Sequence, residues 1–151
     1  MSEITIDVTG AQEAAQYFTD AASALVSAVS VRLQEVCQEI ADYARTIAPK
    51  RTGEYAASIY SVQEGPLRFR IGASAGHAAI IEYGSMPHFI LPRTARVLRF
   101  EVDGEEVFAK FVMHPGTRPM LIIHTAKKEN MSKIVAAIRD GVREALGRGG
   151  R

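Results

Sequence analysis

Features that commonly direct a function are scarce in this sequence of 151 residues. It contains one cysteine, Cys37, which excludes an internal disulfide, and its apolar neighbours indicate a small buried residue rather than a nucleophile. No apolar run approaches the roughly 20 residues that a membrane-spanning helix requires. The first residues, Met1 to Ile4, lack the basic and apolar regions of a secretory signal. We therefore expect a protein that is made in and kept in the cytosol, with no membrane partner.

An excess of charge of one sign is also absent. Lys and Arg number 18 and Asp and Glu 17, so the net charge of +1 provides no broad attraction to DNA phosphates or anionic membranes. Apolar residues make up 47% and charged residues 23%, which are the proportions of an ordinary folded chain. The length suits one domain, which we place at residues 1–147. Residues 148–151 contain no apolar side chain and are predicted to form a flexible basic tail.

The clearest pattern in the chain predicts a long amphipathic helix over residues 11–48. Thr9 and Gln12 have the spacing of a capping box, and Pro49 ends the run because the residue before proline disfavours helical backbone. Unbroken, the helix would measure about 55 Å. It must therefore break near its serine-rich middle or project beyond the domain to meet another subunit. The apolar positions at helical spacing are Phe18, Ala22, Leu25, Val29, Leu33, Val36, Ile40, Tyr43 and Ile47.

An antiparallel sheet is predicted between residues 57 and 113. Segments 57–63 and 67–73 have the composition of two short strands and indicate a hairpin. The apolar stretch 78–81 is too brief for its periodicity to distinguish a helical turn from a strand.

A second hairpin, residues 96–113, is predicted to turn at Asp103-Gly104, a pair that favours positive φ. A two-residue loop would set Glu101 opposite Glu106, and a longer loop or a bulge is equally compatible with the pattern. Large apolar side chains lie on both faces of this long hairpin, so it requires two partners, its own core and another surface. The candidate interface residues are Leu98, Phe100, Phe108 and Phe111, half of which should face the core.

A final helix is predicted over residues 119–146, with Gly147 as its left-handed cap. The order of helix, strands and helix indicates an α+β domain. The long N-terminal helix and the C-terminal helix are expected to cover one face of the antiparallel sheet, from which the long hairpin extends.

Residues that could carry chemistry are few, and we predict no catalytic residue, no metal site and no cofactor. The four histidines, placed in or beside loops, lack the paired spacing of zinc ligands on one helix. Glu82 is the only acid between Phe69 and Arg99, and as a lone carboxylate it is expected to pair with a nearby arginine or to cap a turn. Lys50 and Arg51 have no aromatic platform beside them and are interpreted as solvated charges.

Three segments, in order, resemble a known family. Residues 44–59, ARTIAPKRTGEYAASI, resemble the pattern A-P-x-x-T-G-x-L-x-x-S-I, and residues 77–84, HAAIIEYG, resemble Y-A-x-x-x-E-Y/F-G-T. Residues 117–126, TRPMLIIHTA, are similar to x-x-P-F-L-x-P-A. These blocks occur in the tail-completion or head-to-tail joining proteins of the neck of long-tailed bacteriophages. The chain departs from the family at His77, Ser85 and Met120, where tyrosine, threonine and phenylalanine are usual. The matched motif residues are Pro49, Thr52, Gly53, Ser58, Glu82, Gly84 and Pro119.

This resemblance implies a structural virion protein without enzymatic activity. It would assemble in the host cytoplasm as a ring of six copies in the neck, between head-completion or adaptor proteins and the tail terminator or tail-tube protein. DNA would pass through its lumen without sequence-specific binding. The Thr52-Gly53 turn would redirect the chain from helix to sheet, Gly53 supplying a backbone angle that other residues resist. Glu82 and Arg118 would form an ion pair within or between subunits.

Three other functions are compatible with the sequence. The first keeps the chain in the phage neck as a tail terminator or a head-closure ring. The second is a small cytosolic metal-dependent enzyme that uses His114, His124 and Glu82. The third is a nucleic-acid binder that acts through Lys50, Arg51 and the C-terminal arginines.

Overall fold

The computed structural model describes residues 10–148 and has an α+β architecture dominated by one helix. The helices are α1 (Ala11–Ile47), α2 (Glu54–Ala57), α3 (Ala78–Tyr83), α4 (Ile122–Glu129) and α5 (Met131–Arg148). The strands are β1 (Ile59–Gly65), β2 (Arg68–Ala73), β3 (His88–Ile90), β4 (Leu98–Val102), β5 (Glu105–Ala109) and β6 (Val112–His114).

Helix α1 runs for 37 residues without a break, so it does not break near its serine-rich middle and its first turns project. Contact of these turns with another subunit stays a prediction. All residues from Ala11 to Ala24 are exposed, partial burial on α1 begins at Leu25, and Val29 is the first fully buried residue. The helix ends at Ile47, where Ala48 adopts extended backbone before Pro49. Its N-cap is Gly10, and no side chain caps it. Thr9, the predicted capping residue, lies outside the described residues.

The strands form three separate two-stranded antiparallel sheets, which corrects the prediction of one sheet over residues 57–113. The first hairpin, β1 with β2, is confirmed and packs on α1. The long hairpin is also confirmed, and a two-residue loop joins β4 to β5. Beyond Ala109 the chain leaves β5, and β6 pairs instead with β3. The pattern of the sequence gave no sign of β3, because it has only three residues.

The predicted final helix is two helices, since the chain turns at Asn130 between α4 and α5. The side-chain amide and the backbone N–H of Asn130 both donate to the carbonyl of Ala126, at 2.9 and 3.3 Å, at the end of α4. Gly147 is not a cap, because α5 continues to Arg148. The helical state of Arg148 also corrects the start of the predicted tail, and residues 149–151 lie outside the described part.

The core lies between α1, α2, β1, α3 and α4. Tyr55, Ile40 and Ile59 are its largest fully buried side chains. Helix α5 packs along α1 rather than on the sheet, which corrects the predicted arrangement. The two helices approach closely at Gly141, where a Cβ atom would lie 2.8 Å from the Cα of Val29. None of the helices within residues 10–148 combines the length and apolarity needed to cross a lipid bilayer.

Candidate functional site

The three motif segments meet at one buried carboxylate, that of Glu82. Glu82 is only 7% exposed, and its Oε1 accepts a hydrogen bond from the hydroxyl of Tyr55 in α2. The same oxygen accepts the backbone N–H of Ile123, at 3.1 Å. Ile123 lies in the first turn of α4, where backbone N–H groups have no partner within the helix. Glu82 therefore joins α2, α3 and α4, and we call this group of Tyr55, Glu82 and Ile123 the Glu82 node.

The turn that places Tyr55 in the node is built by Thr52 and Gly53. Gly53 has φ of +72°, a left-handed conformation that glycine adopts without the strain of a Cβ atom. The predicted turn is thus present, but it leads into α2 before the chain enters β1. Ser58 closes the turn: its hydroxyl donates to the carbonyl of Tyr55 at 2.8 Å, and its own carbonyl accepts the N–H of Ser74 at 3.1 Å.

A close crossing of two loops holds the other side of the node. Gly84 has φ of +75°, and a Cβ atom there would lie 2.4 Å from the backbone oxygen of Thr117 and 3.0 Å from the nitrogen of Pro119. Ser85 and Thr117 exchange backbone hydrogen bonds of 3.0 and 3.1 Å. Gly116 makes the same kind of approach, since its Cβ would lie 2.4 Å from the oxygen of Ser85. The second and third motif segments are therefore in direct backbone contact.

Burial and the neighbouring carboxylate of Glu82 raise the pKa of the Tyr55 hydroxyl above its usual range. Loss of the hydroxyl proton would put a negative charge beside the buried carboxylate of Glu82, which repels it. The hydroxyl is therefore a proton donor across the neutral pH range, and the node has the character of a structural lock.

Arg118 does not pair with Glu82, and the predicted ion pair is wrong within one subunit. The oxygen of Glu82 that makes hydrogen bonds is occupied by Tyr55 and Ile123, and the residue is buried. Arg118 is exposed and makes no ion pair within residues 10–148. The carboxylate of Glu82 instead accepts the backbone N–H of Ile123 and so caps the first turn of α4.

The histidines lie in helices and strands or beside them rather than in free loops. His88 and His114 are paired across β3 and β6, and their rings stack with centroids 5.0 Å apart. His124 lies on α4 and lines, with Glu82, Tyr83 and Lys127, an open cleft of about 470 Å³. His114 does not line this cleft, so the three residues of the enzyme alternative do not meet. Among residues 10–148, no three His, Cys, Asp or Glu side chains lie close enough to hold a metal ion.

The long hairpin presents its apolar residues differently from the prediction. Residues directly opposite each other point to the same face, and the pairs Phe100 with Val107 and Leu98 with Ala109 define an apolar face. Phe108 lies opposite Arg99, on the other face, which also carries Glu101 and Glu106. Glu101 and Glu106 are paired as a tight loop requires, and the side chain of Arg99 bonds to Glu106.

None of the four candidate interface residues belongs to the core, which corrects the expectation that half of them would. Phe100, Phe108 and Phe111 are exposed and Leu98 is half-buried. Phe111 has left the long hairpin and meets Phe89 of β3 edge to face, with ring centroids 5.7 Å apart. The long hairpin therefore projects from the body as α1 does.

The remaining sequence candidates are Lys50, Arg51 and Cys37, of which Arg51 lines a cleft together with Tyr55. Lys50 and Arg51 are exposed in the turn after α1. Cys37 is half-buried rather than fully buried, and this burial raises the pKa of its thiol. A thiol held protonated is a poor nucleophile, in line with the interpretation of Cys37 as a packing residue.

Sequence reasoning missed Tyr55 and the backbone N–H of Ile123 as the partners of Glu82. A backbone amide has no sequence signal, and Tyr55 is 27 positions from Glu82. One signal was present: Tyr55 stands where the first motif pattern has leucine, which adds a hydroxyl at an otherwise apolar position. Comparison of the chain with family models, curated proteins and solved structures gave no match.

Proposed function

We propose that this protein is a structural component of the neck of a long-tailed bacteriophage. It forms a ring of six copies that joins the DNA-filled head to the tail and lets DNA pass. The proposal combines the order of the three motif segments with the amount and position of surface that the isolated chain leaves uncovered.

The main support for the proposal is the large surface area that the chain leaves exposed. A folded monomer of 16.5 kDa is expected to expose about 7,500 Å², whereas this chain exposes 11846 Å². The twelve residues outside the described part would contribute about 1,900 Å² if fully extended, which is less than half of the excess. The remaining surface, about 2,400 Å², is in the range that permanent oligomers bury. A chain of this shape is suited to an assembly.

Apolar side chains are concentrated on that surface. Within residues 10–148, eleven hydrophobic residues are buried, six of them alanines, whereas 24 large apolar residues are exposed. A core this small supplies limited stability, so burial between subunits would add to it. The two projecting elements, the free end of α1 and the long hairpin, lie at separate places on the chain and could each meet a different neighbour.

The Glu82 node gives the motif segments a physical role that suits a scaffold. Each segment supplies one part: Tyr55 from the first, Glu82 from the second and the amide of Ile123 from the third. The two hydrogen bonds of the node hold α2, α3 and α4 at fixed angles to one another. A protein that must repeat the same shape around a ring benefits from fixed angles of this kind.

The near-neutral charge is also compatible with a channel for DNA. A lumen with many uncompensated Lys and Arg side chains would bind phosphates tightly and slow the passage of the DNA. The net charge of +1 leaves little such attraction.

The test is the mass of the purified protein in solution by light scattering, alone and with a tail-tube or head-completion protein added. A closed ring, formed alone or with a partner, is the expected result. A monomer that ignores both partners would contradict the proposal. Pull-down with each partner separately would distinguish a tail-completion ring from a tail terminator or a head-closure ring.

A further inference from the structure

The strands β3 and β6 form the stem of the long hairpin, since the chain passes through β3 before it reaches β4 and through β6 after it leaves β5. The four strands β3 to β6 make no extensive contact with any other helix or strand within residues 10–148. The stem is in the same register as the bridge between Ser85 and Thr117, so one ladder runs from this bridge to the pair Ile90 and Val112. The position of the long hairpin on the body therefore depends on this short ladder.

Two prolines weaken the ladder. Pro87 and Pro115 lie opposite each other in its register, between the bridge and the stem, and neither has a backbone N–H to donate. Fewer backbone hydrogen bonds can form here than in an uninterrupted pair of strands. A two-stranded stem of three residue pairs also has little stability of its own, so its side chains must contribute.

Two histidines form the first pair of the stem, next to these prolines. The backbone N–H of Gly116 donates to Nδ1 of His114 at 3.0 Å. On the other strand, Nδ1 of His88 donates to the carbonyl oxygen of Met86, also at 3.0 Å. The two rings stack on each other, with centroids 5.0 Å apart and planes inclined by 28°. The histidine pair of His88 and His114 thus holds backbone groups on both strands of the ladder.

Proton uptake opposes this arrangement in two ways. A neutral imidazole accepts a hydrogen bond through the nitrogen that carries no proton, whereas a protonated imidazole has donors only. The bond from Gly116 to His114 is therefore lost when the ring of His114 becomes charged. Two charged rings with centroids 5.0 Å apart would also repel each other across the stem. The bond from His88 to Met86 is compatible with either state of its ring.

No carboxylate compensates such a charge. The strand packed against β3 is β6, and neither strand contains an ionisable side chain besides the histidines. Neither His88 nor His114 forms an ion pair within residues 10–148. The next pair on the same face of the stem, Ile90 with Val112, is apolar. Glu82, the nearest acid along the chain, is buried and bonded within the Glu82 node.

The charged residues that come next along the chain are basic. They are Arg93 after β3, Lys110 before β6 and Arg118 after it. Basic side chains add repulsion to a charged histidine rather than stabilising it.

We propose that His88 and His114 are a pH-sensitive switch at the base of the long hairpin. With both rings neutral, the histidine pair closes the stem and fixes the long hairpin on the body. Proton uptake at mildly acidic pH, where histidine side chains titrate, opens the stem and lets the long hairpin change its position. The inference goes beyond the proposed neck function and does not depend on it. It makes the presentation of the exposed Phe100 and Phe108 dependent on pH.

Hydrogen exchange measured by mass spectrometry at about pH 7.5 and about pH 5 tests the switch. Protection is expressed relative to the unstructured chain, which removes the direct effect of pH on the exchange reaction. Protection of segments 88–90 and 112–117 should fall about tenfold on acidification, which is within the range that repulsion between two charges 5.0 Å apart produces near a protein surface. Equal protection of these segments at the two pH values would overturn the proposal.

Two double variants show whether the histidine pair causes the effect. His88→Phe with His114→Phe keeps two aromatic rings in the stem and removes both titrating groups, so the protection of the stem should no longer depend on pH. The matched control, His77→Gln with His124→Gln, removes the two histidines outside the stem and should keep the tenfold response. A response that persists in the phenylalanine variant, or one that disappears in the glutamine variant, would overturn the proposal.

The single variant His88→Phe tests the repulsion between the rings without removing the acceptor of Gly116. Its stem should be as well protected as that of the wild type at about pH 7.5, and its loss of protection at about pH 5 should be smaller. This variant decides the question even if the double phenylalanine variant does not fold. A loss as large as in the wild type would show that the two rings do not repel each other and would overturn the role given to the pair.

Discussion

The hydroxyl of Tyr55 donates a hydrogen bond to the carboxylate of Glu82, and this bond joins α2 to α3 inside the core. Tyr55→Phe removes the donor and leaves the buried carboxylate with the amide of Ile123. Hydrogen bonds to charged groups contribute about 1.5–3 kcal/mol, so we expect the free energy of unfolding to fall by about 2 kcal/mol. Urea denaturation measures it. Tyr83→Phe is the control, because Tyr83 is 77% exposed, and its effect should stay within about 0.5 kcal/mol.

The raised pKa of Tyr55 predicts a loss of stability in alkaline solution. Below about pH 10 the hydroxyl is protonated in the folded and unfolded states, and its contribution is constant. Above that pH the unfolded chain releases the proton while the folded chain retains it. Unfolding is then favoured by up to about 1.4 kcal/mol per pH unit.

The comparison that isolates this effect is wild type against Tyr55→Phe, with urea midpoints measured from pH 8 to pH 11. The stability difference between the two proteins should be constant up to about pH 10 and shrink above it. Tyr43, whose pKa is raised by its hydrogen bond to Glu129, is present in both proteins and cancels. A difference that stays constant through pH 11 would contradict the assignment to Tyr55.

The loop crossing at Gly84 should tolerate no side chain. Gly84→Ala would place a Cβ 2.4 Å from the oxygen of Thr117 in a residue held at positive φ. The steric overlap and backbone strain together should cost about 3 kcal/mol or more. Gly76→Ala is the matched control, because a Cβ there meets nothing within 4 Å and φ is not in the left-handed range. Its effect should be neutral or slightly stabilising. Thermal denaturation of both variants would show the contrast.

The two glycines of α5 should respond to alanine in opposite directions. Gly141→Ala sets a Cβ 2.8 Å from the Cα of Val29, so α5 must move away from α1, and we expect a loss of about 1–2 kcal/mol. Gly147→Ala meets nothing within 4 Å and gains helix propensity, by up to about 1 kcal/mol. The helix content and the melting temperature of each variant measure these two effects. Equal effects at the two positions would show that α1 and α5 are not in close contact.

Sequence reasoning predicted the elements with strong local signals. The apolar spacing of α1 and the Asp103-Gly104 turn depend on neighbouring residues, and both are present: Asp103 and Gly104 have φ of +53° and +86°. The break at Asn130 was missed because the apolar spacing continues through it. The three-residue strand β3 was missed because so short a segment has no measurable period. Residues of β6 were predicted as the end of the long hairpin, but they pair with β3 instead.

The Glu82 node and the faces of the long hairpin depend on contacts between distant residues. The sequence placed Phe108 on an apolar face because apolar residues alternate there, but pairing with β4 put it beside Arg99. The expectation of a partly buried long hairpin assumed one continuous sheet. Within residues 10–148 the strands form three small sheets, so no further described strand pairs with β4 or β5.

The unbroken course of α1 makes its exposed first 14 residues, Ala11 to Ala24, a lever. The first fully buried residue of α1 is Val29, and Ala11 lies about 27 Å from it. A tilt of about 5° where α1 meets α5 would move Ala11 by about 2 Å, as the rise of the helix implies. Core substitutions that leave the fold and its stability intact would therefore shift the far end of the molecule by the width of an atom.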